Sequence, residues 1–206
     1  MRQRRDAVSH YFTTPEGPER RRSVGVRFWE TDWTFTTANG VFSADGLDLG
    51  TAVLLRTHTP RPDAARLLDL GCGYGPIAVG LATACPGATV DAVDVNERAL
   101  ALTRDNADAH GVGGRVWALL PADADPDARY DEIWSNPPIR VGKAALHELL
   151  LTWLPRLAPG GVARLVVGKN LGADSLQRWL VEQGYACART ASAKGFRVFE
   201  VTSAVA

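Results

Sequence analysis

The chain has 206 residues, of which 46% are hydrophobic and 22% charged, a composition that indicates a folded globular protein rather than a disordered one. Lys and Arg total 23, as do Asp and Glu, so the net charge of zero identifies no partner. The N-terminal segment is nevertheless basic, which leaves both a nucleic-acid contact and a merely solvated surface open. Its arginines are Arg2, Arg4, Arg5, Arg20, Arg21, Arg22 and Arg27.

The cysteines give no sign of a metal site or a disulfide framework. Cys72, Cys85 and Cys187 have no paired or metal-ligand spacing, and their odd number does not close a set of disulfides. The N-terminus lacks the apolar core of a signal peptide, and no apolar run approaches membrane-spanning length. We therefore expect a cytoplasmic protein with no metal and no membrane contact.

The first 60 residues predict a small cap rather than an independent domain. Residues 24–43 alternate polar and apolar side chains, and Asn39-Gly40 is a dipeptide that favours a hairpin turn. A short helix is expected over residues 50–57 (GTAVLLRT), followed by a proline-containing connector. We assign residues 1–60 to a cap with a β-hairpin, packed on the main domain.

From residue 61 onwards the pattern predicts one larger α/β domain, residues 61–206. Short apolar runs such as RLLDL (66–70) and ATVDAVDV (88–95) alternate with helical segments at 75–85 and 96–110. The second of these helices has Asn96 as its expected N-cap. This alternation predicts a Rossmann-like, doubly wound sheet of seven mostly parallel strands, with an antiparallel strand near the C-terminus.

A glycine-rich turn lies between the first strand and helix of this domain, in the sequence DLGCGYGP (69–76). Gly71, Gly73 and Gly75 allow a tight turn and close approach of a ligand to the backbone. Asp94 ends the next strand, where its carboxylate can accept hydrogen bonds from both hydroxyls of a ribose. A glycine turn that serves packing alone, with Asp94 facing solvent, is the structural alternative.

The residue before this turn distinguishes among nucleotide ligands. Nicotinamide cofactors use the related spacing GxGxxG, whereas this chain has GxGxG with Asp69 two residues ahead of it. A carboxylate there would repel a pyrophosphate and attract a cationic or amine-bearing ligand. S-adenosyl-L-methionine has a sulfonium, an amino group and no phosphate, so it is the favoured cofactor.

These residues carry a family resemblance. DLGCGYGP together with VDAVDVNERAL resembles the cofactor motifs of class I S-adenosylmethionine-dependent methyltransferases. The resemblance implies that the cofactor's methionine end lies against the glycine turn, its ribose on Asp94 and its adenine near Ala122 or Asp123. The cofactor residues implied within this motif region are Asp69, Gly71, Cys72, Gly73, Asp94, Val95, Ala122 and Asp123.

The sequence SNPP (135–138) follows a predicted buried strand, YDEIWS. The Asn136 side-chain carbonyl and the Pro137 backbone carbonyl can each accept one hydrogen of a planar amine, because the proline ring holds its carbonyl in place. Two such acceptors would orient the amine and stabilise positive charge developing on its nitrogen. A rigid strand terminator is the alternative.

Asn136, Pro137 and Pro138 resemble the [Asn/Asp]-Pro-Pro-aromatic motif of methyltransferases that act on exocyclic or amide nitrogens. The resemblance implies that these three residues are catalytic, with Asn136 also beside the cofactor. Ile139 departs from the pattern, because an aromatic residue there would stack on an extruded base. We expect Ile139 to contact the substrate through apolar packing instead.

The flanking segments, among them TTANGVFSADGLDLGTAVLL, VVGKNLGADSLQRWL and KGFRVFEV, resemble the small-domain methyltransferases related to the bacterial 16S rRNA guanine-N2 methyltransferase. The resemblance implies structured RNA as partner, namely 16S rRNA or the small ribosomal subunit. Phe42 and Thr51 would touch the cofactor, and Lys169, Lys194 and Arg197 the substrate. Trp29 and Trp33 are further candidates for RNA contact. The alternatives are a methyltransferase for a protein glutamine or small-molecule amine, and a non-catalytic RNA-binding assembly factor.

Overall fold

A computed structural model describes residues 17–138 and 142–203. Within these ranges, strands alternate with helices as the sequence predicts. The strands are β1 Arg21–Phe28, β2 Thr31–Ala38, β3 Arg66–Leu70, β4 Thr89–Val93, β5 Val116–Leu119, β6 Tyr130–Ser135, β7 Leu157–Gly168, β8 Tyr185–Ala193 and β9 Phe196–Ser203. The helices are α1 Leu49–Thr57, α2 Pro76–Ala84, α3 Glu97–Ala109, α4 Lys143–Trp153 and α5 Ala173–Glu182.

Seven strands form one sheet in the order β5-β4-β3-β6-β7-β9-β8. Strands β3 to β7 are parallel, whereas β9 is antiparallel to both β7 and β8. The strand order reverses direction at β3, where the chain crosses over to β6, and ligands of open α/β sheets bind at such a switch point. The predicted Rossmann-like fold, with its antiparallel strand near the C-terminus and its small N-terminal hairpin, is confirmed.

The hairpin turn is not where the sequence predicted it. Strands β1 and β2 pair in antiparallel register from Arg21–Ala38 to Phe28–Thr31, so Trp29-Glu30 makes the turn. Both turn residues have positive φ, 47° and 60°, as a two-residue turn between twisted strands requires. Asn39 instead closes the open end of the hairpin, because its side-chain oxygen accepts a hydrogen bond of 2.6 Å from the Arg20 amide.

Two hydrophobic clusters cover the two faces of the sheet, and the alternation along β3 assigns Leu67 to one and Leu68 to the other. The hairpin belongs to the first cluster. Trp33 is 6% exposed and stacks on Phe28. Trp29 packs edge-on against Trp134 and donates its indole hydrogen to the His58 carbonyl. The predicted RNA contact is therefore wrong for Trp33, whose side chain is in the core.

A buried carboxylate anchors the segment that follows α1 to the main sheet. Glu132 on β6 is fully buried and pairs with Arg164 of β7 at 2.5 Å. Its other partners are the Trp134 indole at 2.8 Å and the backbone amide of Arg61 at 3.0 Å. Paired and hydrogen-bonded in this way, the charge is tolerated in the interior. The division of the chain at residue 60 stays a prediction.

Among the helices that the structure describes, none is long and apolar enough to cross a membrane.

Candidate active site

The carboxyl ends of β3, β4 and β6 meet beside a cavity of about 320 Å³, within the usual range of small-molecule sites. A smaller space of about 30 Å³ continues from it behind the glycine turn. Both are bordered by the segment before α1. Residues that line both spaces are Phe42, Ser43, Asp48, Gly71 and Asn136.

The glycine turn forms the floor of the site. Gly71 and Gly73 have φ of 80° and 58°, a backbone conformation that side chains with a Cβ rarely adopt. A Cβ added at either position would meet no atom within 4 Å, so the space in front of the turn is open to a ligand. The amides of Gly71 and Cys72 both donate to the Val93 carbonyl, which ties the turn to the end of β4.

Asp94 stands directly beside this turn. Its carboxylate accepts hydrogen bonds of 2.9 Å from the amides of Gly73 and Asn96, one on each oxygen. Burial raises the pKa of Asp94 from its ordinary value, and these backbone hydrogen bonds partly offset that effect. Each oxygen keeps lone pairs for a further donor, so the geometry suits the ribose hydroxyls predicted to bind there.

Asp69 lies beneath the turn rather than in the cavity lining. It is completely buried, and one of its oxygens accepts a 2.9 Å hydrogen bond from the Ala78 amide in the first turn of α2. Its other oxygen has no hydrogen-bond partner among the described residues. Burial raises the pKa of Asp69 to about 8. Its contact with the cofactor stays a prediction.

Asn136 is held by two residues of the N-terminal cap segment, residues 1–60. Its side-chain nitrogen donates 2.6 Å to Asp48 and 3.0 Å to the Thr51 hydroxyl, so both amide hydrogens are used. The amide carbonyl is left as the acceptor that this side chain presents to the cavity. Pro137 and Pro138 continue the wall beside it.

The charged residues that line the two spaces, among those the structure describes, are Asp48 and Asp94. A lining with two carboxyl groups and no lysine, arginine or histidine suits a cationic ligand and repels a phosphate. The open glycine cradle, the ribose acceptor and this charge together fit S-adenosylmethionine.

The structure brings together most of the predicted cofactor residues. Lining one or both spaces are Phe42, Thr51, Gly71, Cys72, Gly73, Asp94, Val95 and Asn136. Ala122 and Asp123 lie in an exposed turn, and it is the preceding Pro121 that reaches the cavity. The adenine contact predicted for these two residues therefore stays a prediction.

The predicted substrate residues fall into three groups. Lys169 and Lys194 are exposed and adjacent, because the Lys169 amide donates to the carbonyl of Gly195 in the β8–β9 turn. Arg197 is 9% exposed and pairs with Asp174 on α5, outside the cavity lining. Ile139 lies outside the described residues.

Several lining residues were not singled out from the sequence. Asp48 has the clearest signal, since an Asp before a predicted helix is a favoured N-cap, and its side chain caps α1. Phe196 lines the cavity at the start of β9. Leu149, Trp153 and Leu171 come from distant elements, and no local pattern marks them.

A mostly parallel sheet with this strand order, a glycine turn and an acidic residue at the end of the next strand is the arrangement found in S-adenosylmethionine-dependent methyltransferases. The chain belongs to the methyltransferase small domain family, whose model matches residues 32–200.

Among curated proteins, Bacillus subtilis YbxB is 32% identical over 169 residues, which cover 81% of this chain and 84% of YbxB. The ribosomal RNA small subunit methyltransferase C of Citrobacter koseri is 37% identical over 144 residues, or 68% of this chain and 42% of that protein. A solved 16S rRNA N2 methyltransferase of T. thermophilus, in complex with AdoMet and guanosine, is 28% identical with a TM-score of 0.76. It matches 92% of this chain and 52% of its own, so the chain spans about half the length of these rRNA methyltransferases.

Proposed function

We propose that this protein transfers a methyl group from S-adenosylmethionine to an exocyclic amine of structured RNA, with guanine N2 of 16S rRNA as the leading target. The observation that carries the proposal is the orientation of Asn136. Its amide nitrogen is bound to Asp48 and Thr51, so its carbonyl is the group available to an amine in the cavity. The named rRNA methyltransferases and the relative complexed with AdoMet and guanosine support the choice of substrate.

The catalytic roles follow from the chemistry of the substrate. When bound, the cofactor supplies an electrophilic methyl group on a sulfonium. The carbonyls of Asn136 and Pro137 accept the two hydrogens of the amine, which directs its nitrogen lone pair into the site. As the nitrogen becomes positive, these fixed dipoles stabilise the charge without reorganising. No general base is needed before transfer, since the proton leaves from the product.

The cofactor roles extend this proposal. Asp94 would accept the ribose hydroxyls, and Gly71 and Gly73 would let the methionine end approach the backbone. Phe42 and Phe196 add aromatic surface to the cavity, which can supply part of the base contact made by an aromatic after Asn-Pro-Pro in other enzymes. Lys169 and Lys194, which lie close in sequence to the lining residues Gly168 and Phe196, would contact phosphates of the RNA. Such a reaction on rRNA belongs to the cytoplasm.

Incubation with tritiated S-adenosylmethionine tests the proposal, using naked 16S rRNA, small ribosomal subunits and total protein as separate substrates. We expect label in the RNA, recovered after nuclease digestion as N2-methylguanosine. Label confined to polypeptide would show a protein methyltransferase instead. Binding of RNA without any transfer, by a protein that also fails to bind the cofactor in calorimetry, would show an assembly factor.

A further inference from the structure

Asp48 makes a contact beyond the one a helix cap requires. A single carboxylate oxygen, Oδ1, accepts from the amides of Gly50 at 2.7 Å and Thr51 at 3.1 Å, which caps α1. The same oxygen accepts from the Asn136 side-chain nitrogen at 2.6 Å, across 88 positions of sequence. Capping alone explains the first two bonds, because Ser or Asn would serve as well. It does not explain the third.

The third bond decides which end of the Asn136 amide faces the cavity. Thr51 also accepts from that nitrogen, at 3.0 Å, but a hydroxyl can donate as readily as accept and would tolerate a flipped amide. The Asp48 carboxylate only accepts. Flipping the amide would place the Asn136 carbonyl oxygen against it, two acceptors face to face with no hydrogen between them. The flipped state is therefore excluded by Asp48 rather than by Thr51.

We infer that Asp48 is a positioning residue for the methyl-transfer step, which keeps the Asn136 carbonyl turned towards the incoming amine; this inference rests on the proposed function. Hydrogen bonds to a charged acceptor are shorter and stronger than neutral ones. They also polarise the donor amide, which increases the negative charge on its carbonyl oxygen. Asp48 thus fixes both the direction and the strength of the Asn136 carbonyl as an acceptor. Through Asp48, the N-terminal cap segment becomes part of the catalytic unit.

Variants at positions 48 and 51 separate positioning from helix capping. Asp48→Ser keeps a favoured N-cap but is too short to reach Asn136. Asp48→Asn keeps a carbonyl oxygen at full reach, and the Gly50 and Thr51 amides hold that oxygen in the accepting position. Thr51→Val removes the second acceptor with little change in shape, and it should lower kcat less than Asp48→Ser because Thr51 does not exclude the flipped amide. Thr57→Val is the matched control on the same helix, because the Thr57 hydroxyl bonds to the Val53 and Leu54 carbonyls and not to Asn136.

We expect Asp48→Ser to lower kcat, measured at saturating S-adenosylmethionine, by about tenfold to a hundredfold. Asp48→Asn should stay within about fivefold of wild type, and Thr57→Val should match it. In an Asn136→Ala background, adding Asp48→Ser should lower kcat by less than about a further twofold, because the two residues act as one unit. Additive losses, or a loss in Asp48→Asn equal to that in Asp48→Ser, would overturn the inference.

A second readout needs no substrate. Hydrogen exchange of the Asn136 side-chain amide, measured by NMR, should be about tenfold faster in Asp48→Ser than in wild type or Thr57→Val. Unchanged exchange would overturn the positioning role whatever the substrate is. If wild type methylates no RNA, the proposed function fails, and the exchange measurement still decides whether Asp48 holds the amide.

Discussion

The cofactor half and the amine half of the candidate site are built in different ways. The cofactor half is local, because the glycine turn and Asp94 end two adjacent strands and are bonded to each other through Gly73. The amine half is assembled across the chain, since Asn136 is fixed by Asp48 and Thr51 from the cap. Local backbone geometry thus makes a ligand cradle, whereas a precisely aimed side chain requires partners from elsewhere in the fold.

This contrast predicts that damage to the amine half lowers turnover without loosening the cofactor. Asn136→Ala should reduce kcat by about a hundredfold to a thousandfold, because one of two preorganised acceptors is lost. Cofactor affinity in calorimetry should change by less than about threefold. Turnover within twofold of wild type would refute the role of Asn136.

Damage to the cofactor half should do the reverse. Asp94→Ala should weaken cofactor binding by about tenfold to a hundredfold, because the ribose hydroxyls lose hydrogen bonds to a charged acceptor. At saturating cofactor, kcat should stay close to wild type. The melting temperature serves as the control, because Asp94 also bonds the amides of Gly73 and Asn96. A large fall in kcat with unchanged affinity would erase the distinction between the two halves.

Gly50→Ala tests the junction between cap and site. An added Cβ would lie 2.9 Å from the Phe196 ring and 3.0 Å from the Asp48 carboxylate, so both must shift. We expect about a tenfold loss of kcat, since sub-ångström displacement of positioning groups is costly. Gly25→Ala on β1 is the matched control, because nothing lies within 4 Å of its added Cβ. Equal activity of the two variants would contradict the prediction.

Asp69 has the smallest expected effect on turnover, and its substitution should be visible in stability instead. Its pKa is raised to about 8 in the folded, cofactor-free protein, so between the unfolded value and pH 8 the folded state holds a proton that the unfolded state has lost. Stability therefore falls as pH rises from about 4 to about 8. Asp69→Asn should remove this pH dependence from the free energy of unfolding measured with urea. The stability of the variant relative to wild type should therefore be greater at pH 8 than at pH 5. An unchanged slope would contradict it.

The same contrast governs what the sequence could predict. The fold, the glycine turn and the position of Asp94 follow from periodicity and short motifs, because their causes are local. Asp48 could be predicted as the N-cap of α1, but its bond to Asn136 spans 88 positions and no local sequence pattern indicates it. The prediction of a hairpin turn at Asn39-Gly40 was wrong because turn-forming residues also occur at the open end of a hairpin.

The alternation of side chains along a strand would have improved the prediction of substrate-contacting residues, as Arg197 shows. Phe196 and Arg197 are neighbours on β9, and neighbouring residues of a strand point to opposite faces. Since Phe196 lines the cavity and Arg197 pairs with Asp174 on α5, the two serve different surfaces. Lys194 escapes this rule, because it lies in the turn before the strand, with φ of 50°.

The buried Glu132 has a consequence for how such a domain can be divided and recombined. Because this carboxylate bonds the Arg61 amide as well as Arg164, removal of the segment that follows α1 would leave a charged group in the interior with a vacant partner. Leaving a buried acceptor without one of its hydrogen bonds commonly costs about 1–3 kcal/mol, and more for a charged group. A gene fusion that joined another protein after residue 61 would therefore remove one of these partners. The hairpin is joined to the main domain as well, through Trp29 on Trp134 and Thr36 on Asn106, so a transplanted segment should keep cap and sheet together.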